Sequence, residues 1–145
     1  MRIYTLDLRT RRVSAVTGSN GLWTARWSPD SRYIAALQLN AVSGPTSDEI
    51  KLYDVASRRW RTLTRVEDII EPTWSQDGQY LYFESDGKSP VLYRVRVRDG
   101  NLKRMANMSG VARGDNWSGV APDGSPLITA AKRLQEIYAL RVEWP

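Results

Sequence analysis

Residues 27–37, WSPDSRYIAAL, decide the fold of this chain, because related stretches recur at residues 74–84, WSQDGQYLYFE, and at residues 120–130, VAPDGSPLITA. Each stretch contains an aromatic or apolar residue, a small residue, Pro or Gln, Asp, a short turn and an apolar run. The first position recurs after 47 residues, from 27 to 74, and again after 46, from 74 to 120. A repeat of this length predicts an array of similar structural units, and it indicates the architecture far better than the function.

The repeat begins with two predicted strands joined by a tight turn. A first strand ends at the aromatic position, a turn around Asp30, Asp77 or Asp123 follows, and a second, apolar strand begins. An Asp side chain accepts hydrogen bonds from turn amides, and Asp-Gly permits the positive φ that short hairpins need. We therefore predict that these three aspartates are structural turn residues.

Two further strands complete each repeat. The sequence at 3–7, IYTLD, matches the sequence at 50–54, IKLYD, and later copies occur at 92–96 and 137–141. A turn and a fourth strand follow, as at 58–64. Four antiparallel strands repeated with this period are typical of a β-propeller blade, and no segment shows a helical period. The sequence predicts an all-β fold, a partial β-propeller of about three four-stranded antiparallel blades.

The predicted organisation is a single propeller segment over residues 1–145. It comprises a half blade at 1–17, a blade at 18–65, a blade at 66–107 and an incomplete last blade at 108–145. Propellers typically close with about four to eight blades, so this arc does not close by itself. Either upstream residues of a longer protein supply the missing blades, or copies self-associate and the strand at 13–17 of one copy completes the last blade of another.

The composition argues against catalysis. The chain contains no Cys and no His, so it lacks the usual general base near neutral pH and the commonest zinc ligand. It also lacks the G-x-S-x-G pattern of serine hydrolases. We predict that the segment is not an enzyme, that it has no catalytic, cofactor-binding or metal-binding residue, and that it needs no cofactor.

The charge is basic, with 21 Lys and Arg against 16 Asp and Glu and a formal net charge of +5. The basic residues are scattered through every repeat. Arg94, Arg96 and Arg98 alternate with apolar residues, which predicts one solvated or charge-paired strand face. A nucleic-acid partner is therefore not expected here. No apolar run is long enough for a membrane span, and the compartment, bacterial cytoplasm or periplasm, stays open.

The Trp-Ser-Pro-Asp turn followed by an apolar strand resembles the WD-like repeat of TolB-type β-propellers. The copies that begin at Trp27 and Trp74 match well, whereas the third has Val120 in place of Trp and Pro126 at the start of its second strand. The resemblance implies a non-catalytic propeller scaffold for protein interaction or ligand sensing. In that family the repeated Asp is a turn residue and the Trp a packing residue, so neither implies a binding site.

Residues 136–145, EIYALRVEWP, are similar to the chain ends of bacterial multidomain regulators. Those proteins carry a winged-helix DNA-binding domain or a Ser/Thr kinase domain before a C-terminal propeller. The resemblance implies one alternative function, the sensor segment of a transcriptional regulator or kinase. A propeller that gates a peptidase is a further alternative.

The best candidate for a ligand- or partner-facing rim lies near the starts of the first strands, which open onto one end of a propeller channel. Trp23, Glu71, Asp115 and Asn116 occupy these positions in the predicted topology. We expect that replacing Trp23 or Asp115 with Ala leaves the fold intact and weakens binding.

Overall fold

The computed structural model describes residues 1–38, 47–85, 88–110 and 113–130, and at residues 47, 71, 113–118 and 128–130 it describes the backbone alone. All regular structure in these ranges is β-strand. The predicted third strand of the last blade, at 137–141, and the chain end at 136–145 lie outside the described residues.

Two four-stranded antiparallel sheets form the middle of the chain. The first full blade contains the strands β3 to β6, in the order β3-β4-β5-β6, at Leu22–Trp27, Tyr33–Gln38, Ser47–Asp54 and Arg59–Glu67. The second full blade contains β7 to β10, in the order β7-β8-β9-β10, at Ile69–Trp74, Tyr80–Ser85, Val91–Arg96 and Leu102–Asn107. Each strand therefore pairs with its neighbour in sequence, as in a propeller blade.

A two-stranded sheet flanks this pair of blades at each end. The N-terminal half-blade consists of β1, Tyr4–Leu6, and β2, Val13–Ala15, and the C-terminal hairpin consists of β11, Arg113–Val120, and β12, Pro126–Ala130. The repeat aligns β1 and β2 with β5 and β6, because residues 3–7 precede the matching residues 50–54 by 47 positions. The half-blade thus holds the third and fourth blade positions, and the hairpin holds the first and second. The prediction of an all-β, partial β-propeller is confirmed.

A serine and an aspartate close the hairpin between the first two strands of each full blade. The Oγ of Ser28 donates a hydrogen bond to Oδ1 of Asp30 at 2.6 Å and accepts one from the N–H of Tyr33 at 2.9 Å. The N–H of Arg32 also donates to Asp30, at 3.1 Å. The hydrogen bond from Ser28 is the main reason that the pKa of Asp30 lies below its usual value. We call this arrangement the Ser-Asp clasp.

The second full blade repeats the Ser-Asp clasp. The Oγ of Ser75 donates to Asp77 at 2.6 Å and accepts from the N–H of Tyr80 at 2.9 Å. In the C-terminal hairpin, Asp123 accepts a hydrogen bond from the N–H of Ser125 at 2.9 Å. All three predicted aspartates accept backbone hydrogen bonds in their turns.

The main core lies between the two full blades. Its buried members come from both sheets: Ala35, Leu37, Ile50, Leu52, Leu63, Ile69, Trp74, Leu81, Phe83, Val95 and Val97. Polar contacts join the same two blades at the edge of this core. The indole Nε1 of Trp74 donates to the carbonyl of Arg26 at 3.1 Å, and the N–H of Ile69 donates to the buried carboxylate of Asp48 at 3.0 Å. Apolar packing and directional bonds therefore fix neighbouring blades together.

Candidate functional site

The inner strands of three successive blades meet at the channel. Each of β3, β7 and β11 is the first strand of its sheet, and β7 contacts both β3 and β11. Each inner strand pairs within its own blade on one side and forms the edge of its sheet on the other, and at this edge the carbonyl of Arg26 accepts the indole N–H of Trp74. Such an edge can bind an extended peptide or a polar ligand through backbone hydrogen bonds.

All three inner strands are irregular in their first half. The register of β3 with β4 shifts between Trp23 and Arg26, and that of β7 with β8 shifts between Ile70 and Thr73. In β11 the shift falls between residues 113 and 118. Bulges redirect side chains and backbone, and they are over-represented next to functional sites. We call these segments, residues 23–26, 70–73 and 113–118, the channel lip.

The predicted rim residues fall within the channel lip. Trp23 lies in β3, Glu71 in β7, and Asp115 and Asn116 in β11, so the structure places them on three adjacent inner strands. The sequence predicted that these residues lie just before the strands. In the structure they lie inside the strands, at the register shifts. For Glu71, Asp115 and Asn116 the assignment rests on strand position.

Trp23 and Thr24 combine burial with unsatisfied polar atoms. Trp23 is half-buried and packs against the main core. Its Nε1 and the Oγ1 of Thr24 are buried, and neither has a hydrogen-bond partner among the described residues. Thr24 has a φ of 46°, which is uncommon for a β-branched residue. Because Trp23 packs on the core, we now expect Trp23→Ala to destabilise the fold, contrary to the expectation from the sequence.

Sequence reasoning missed Thr24, and it overlooked the signal given by Pro72. No residue type in β3 indicates that Thr24 takes a positive φ, because Gly and Asn are the usual residues there. Pro72 lies within β7, and a Pro inside a strand indicates an edge strand or a bulge. That signal alone was sufficient to predict one of the three irregularities.

A cavity within the roughly 300 to 1,000 Å³ that is common for ligand pockets opens between the end of the first full blade and the outer part of the second. Its volume is about 560 Å³, and its lining includes Glu67, Asp68, Ser85, Lys88 and Tyr93. The lining residues come from the end of β6, the turn before β7, the end of β8, the loop that follows it and β9, and none of them lies in the channel lip. Charged groups of both signs therefore line this cavity.

The basic strand predicted from the alternating arginines is paired within its own blade. The guanidinium of Arg94 lies 4.4 Å from the ring centroid of Tyr80. Arg96 forms a salt bridge with Asp99 at 2.9 Å, and Arg98 contacts the same carboxylate at 3.5 Å. All three arginines therefore have partners within the blade, although Asp99 is the single carboxylate among these partners, as expected for a solvated or charge-paired strand face.

In the part of the chain that the structure describes, no three His, Cys, Asp or Glu side chains lie close enough together to hold a metal ion. Nor do the described ranges contain a helix of the length and apolarity that crossing a membrane requires.

The four-stranded sheets define part of a β-propeller, and among the curated proteins that are similar in sequence are two with partial matches. One is the Tol-Pal system protein TolB of Alcanivorax borkumensis, 32% identical over 89 residues, which are 59% of this chain and 20% of that protein. The other is an uncharacterized protein of Agrobacterium fabrum, 26% identical over 83 residues, 57% of this chain and 27% of that protein. The chain therefore spans about a fifth to a quarter of these relatives. No family model matches the chain.

Solved structures share the fold. TolB from Acinetobacter baumannii superimposes with a TM-score of 0.66 at 21% identity, over 85% of this chain and 30% of that one. An oligogalacturonate lyase in complex with manganese gives 0.67 at 18% identity, over 88% and 37%. The β-propeller domain of the trilobed protease from Pyrococcus furiosus gives 0.51 at 12% identity, over 72% and 38%. The chain has the fold of a TolB-like β-propeller segment.

Proposed function

We propose that this chain is the non-catalytic part of a larger propeller protein and that it serves as a scaffold for protein interaction or ligand sensing. The channel lip is the observation that carries this proposal. Three adjacent inner strands are irregular at the same end, and bulged strands and loops on a rigid scaffold are common places for binding residues.

The lip is suited to binding an extended protein segment. The three inner strands are sheet edges, where an extended segment can add as a further strand. The half-buried Trp23 and the charged residues Glu71 and Asp115 lie on these strands. Aromatic and charged groups around a concave edge are typical of recognition sites.

Binding by variants of the lip tests the proposal. The wild-type chain, Asp115→Ala and the outer-strand control Arg104→Ala are used to capture proteins from a lysate of the source organism, and each captured protein is purified and titrated by calorimetry. We expect Asp115→Ala to raise the dissociation constant about tenfold or more, which corresponds to a loss of about 1.4 kcal/mol in binding free energy. Arg104→Ala should leave the dissociation constant unchanged. Equal affinity of all three chains contradicts a role for the lip.

A gating propeller of a peptidase is the second candidate, favoured by the similarity to the propeller domain of a protease. A sensor segment of a transcriptional regulator or Ser/Thr kinase is the third, favoured by the sequence at 136–145. The upstream reading frame separates the three candidates, because a hydrolase, DNA-binding or kinase domain encoded there selects one of them.

A further inference from the structure

Six hairpin turns of the described chain lie at one end of the blades, because successive strands of each sheet run in opposite directions. Backbone hydrogen bonds tie the two turns of each full blade together. The N–H of Val55 donates to the carbonyl of Arg32 at 3.0 Å, and the N–H of Val97 donates to the carbonyl of Gln79 at 2.9 Å. We call the residues of these turns the turn face: 7–12, 28–32, 54–59, 75–79, 96–101 and 121–125.

Turns of neighbouring blades also touch one another. A Cβ added to Gly78 would lie 3.7 Å from Cδ of Pro29 in the first full blade. The side-chain Nε2 of Gln76 donates to the carbonyl of Ala121 in the C-terminal hairpin at 3.4 Å. The inner strands begin at the channel lip and end at these turns, so the turn face is a continuous surface at the end of the blades opposite to the lip.

The charged residues of the turn face are eight Arg and six Asp. Each Asp accepts a hydrogen bond from a backbone N–H of its own turn, as Asp7 does from Arg9 at 2.9 Å and from Thr10 at 2.8 Å. These short side chains are therefore held against the backbone. An Arg side chain is longer and carries its charge further into solvent, so the outer layer of the turn face is basic.

Most of these arginines are exposed and form no salt bridge with any residue that the structure describes: Arg9, Arg11, Arg12, Arg32, Arg58 and Arg59. Arg96 and Arg98 share Asp99. Arg58 and Arg59 belong to a complete four-stranded blade, and they match Arg11 and Arg12 of the half-blade 47 positions earlier. The exposure of this arginine pair is therefore a property of the turn itself.

Two of the exposed arginines occupy a backbone conformation that favours glycine. The φ of Arg11 is 58° and that of Arg58 is 56°, and Gly100 holds the matching position of the second full blade with a φ of 71°. Left-handed backbone is unfavourable for Arg, because its Cβ approaches the following carbonyl oxygen. A long cationic side chain at a strained position of two turns indicates a role for its charge.

We propose that the turn face is a docking surface for an anionic lipid bilayer, whose phosphate groups the exposed arginines bind. Hairpin turns provide no strand edge to which an extended peptide can add, and the turn face contains no aromatic residue on which nucleic-acid bases can stack. A bilayer presents negative charge over a broad surface, so arginines of several turns can contact it together. Clusters of about four to eight basic residues are typical of binding to anionic lipids.

Vesicle binding tests the turn face. The chain is sedimented with vesicles of phosphatidylcholine and phosphatidylglycerol in equal parts, and with vesicles of phosphatidylcholine alone. We expect binding to the anionic vesicles only. The partition coefficient should fall about tenfold or more when NaCl is raised from about 0.1 M to about 0.5 M, because salt screens exposed charges.

Matched charge variants locate the binding surface. Arg58→Gln/Arg59→Gln should lower the partition coefficient about tenfold or more, and so should Arg11→Gln/Arg12→Gln at the matching positions. Lys103→Gln/Arg104→Gln removes the same charge from the exposed outer strand β10, away from the turn face, and should lower it by less than about threefold. Thermal unfolding confirms that each variant is folded.

A conservative variant separates charge from packing. Arg58→Lys/Arg59→Lys keeps both charges and should bind anionic vesicles within about twofold of the wild type. A loss as large as that of the Gln variant would show that the guanidinium groups stabilise the turn and do not contact lipid.

Several further results overturn the proposal. Absence of binding to anionic vesicles at low salt, or equal binding to neutral vesicles, removes the bilayer as the partner. Equal losses for the variants at positions 58 and 59 and at positions 103 and 104 show that only net charge matters. Tighter binding to polyglutamate or duplex DNA than to anionic vesicles in the same buffer identifies an acidic protein or a nucleic acid instead. The channel lip lies at the opposite end of the blades, so these outcomes leave its proposed function unaffected.

Discussion

A single hydroxyl closes each of the two regular hairpins, because Ser28 and Ser75 each accept a backbone N–H while donating to an aspartate. The third copy of the motif lacks both the hydroxyl that accepts this hydrogen bond and the N–H that donates it. Ala121 replaces the serine, and Pro126 stands where Tyr33 and Tyr80 provide the N–H. Since Pro has no N–H to satisfy, the alanine leaves no donor unpaired there, and the two departures from the pattern compensate each other.

Removing one hydroxyl tests the Ser-Asp clasp. Ser75→Ala leaves the N–H of Tyr80 without its acceptor in a part-buried turn, and we expect a loss of about 1 to 2 kcal/mol in the free energy of unfolding. Urea unfolding followed by tryptophan fluorescence measures the loss. Ser109→Ala, an exposed serine outside any clasp, is the control and should change stability by less than about 0.5 kcal/mol.

Gly100 separates the effect of close packing from the effect of a positive φ. It has a φ of 71°, and an added Cβ would lie 2.7 Å from the carbonyl oxygen of Leu63 in the neighbouring blade. Gly100→Ala should therefore cost about 2 to 4 kcal/mol, from backbone strain and a forced shift of the blades.

Gly124 is the matched control for Gly100. Its φ is 84°, and nothing lies within 4 Å of the Cβ position, so Gly124→Ala should cost only about 1 to 2 kcal/mol. Thermal unfolding measured side by side gives the difference. Equal losses for the two variants would mean that the approach of Gly100 to Leu63 is unimportant.

At the scale of the strand pair, Glu49 links β5 to β6. Its carboxylate contacts Lys51 at 2.5 Å and Arg65 at 2.9 Å, and it accepts a hydrogen bond from Thr62 at 2.8 Å. The side chain is only 13% exposed. The hydrogen bond with Lys51 is the largest cause that lowers the pKa of Glu49 to about 2, against the partial desolvation that raises it.

The lowered pKa of Glu49 predicts a pH-dependent contribution to stability. The contribution of Glu49 to stability is complete at pH values above about 4.5, the pKa of the unfolded state. It is lost as the pH falls toward 2, because the unfolded chain binds the proton first. We expect Glu49→Gln to lower the free energy of unfolding by about 1 to 3 kcal/mol at neutral pH.

Urea titrations of the wild type and Glu49→Gln at pH values of about 7 and about 2.5 measure this contribution. The difference between the two chains should shrink markedly at the lower pH. A difference that is the same at both pH values would show that charge on Glu49 does not stabilise the strand pair. Arg58→Gln, an exposed arginine in the turn before β6, controls for a general change in charge.

The strands themselves could be predicted from the sequence, but their irregularities could not. The repeat and the alternation around Arg94 and Arg96 predicted strand order and faces correctly, because side-chain period and turn residues are local properties. The network around Glu49 depends on a register shift between Ile50 and Lys51 that no local residue type indicates. The positive φ of Thr24 could not be predicted from the local sequence either, since the surrounding blade imposes it.

At the scale of the whole molecule, stability should vary along the arc. The central strands β8 and β9 bury Leu81, Phe83 and Val95 completely between neighbours, whereas β1 and β2 form a two-stranded sheet with exposed apolar side chains. Two-stranded sheets are marginally stable alone. We therefore expect the half-blade to be less stable than the two full blades.

Hydrogen exchange measured by mass spectrometry tests this gradient. In dilute solution we expect amides of β1 and β2 to exchange fastest and amides of β8 and β9 to exchange slowest, by about a hundredfold or more, because local opening of the half-blade costs little. Uniform exchange along the arc at low concentration contradicts the gradient.

The Ser-Asp clasp has a consequence for how the polypeptide acquires its shape during synthesis. Each clasp joins residues at most five positions apart, whereas the indole of Trp74 must find a carbonyl 48 positions earlier. Short-range contacts form sooner than distant ones, and nascent chains emerge from the ribosome N-terminus first. We therefore expect the hairpins to form one after another during translation. The hairpin that contains β3 should be formed before Trp74 is synthesised and docks on it.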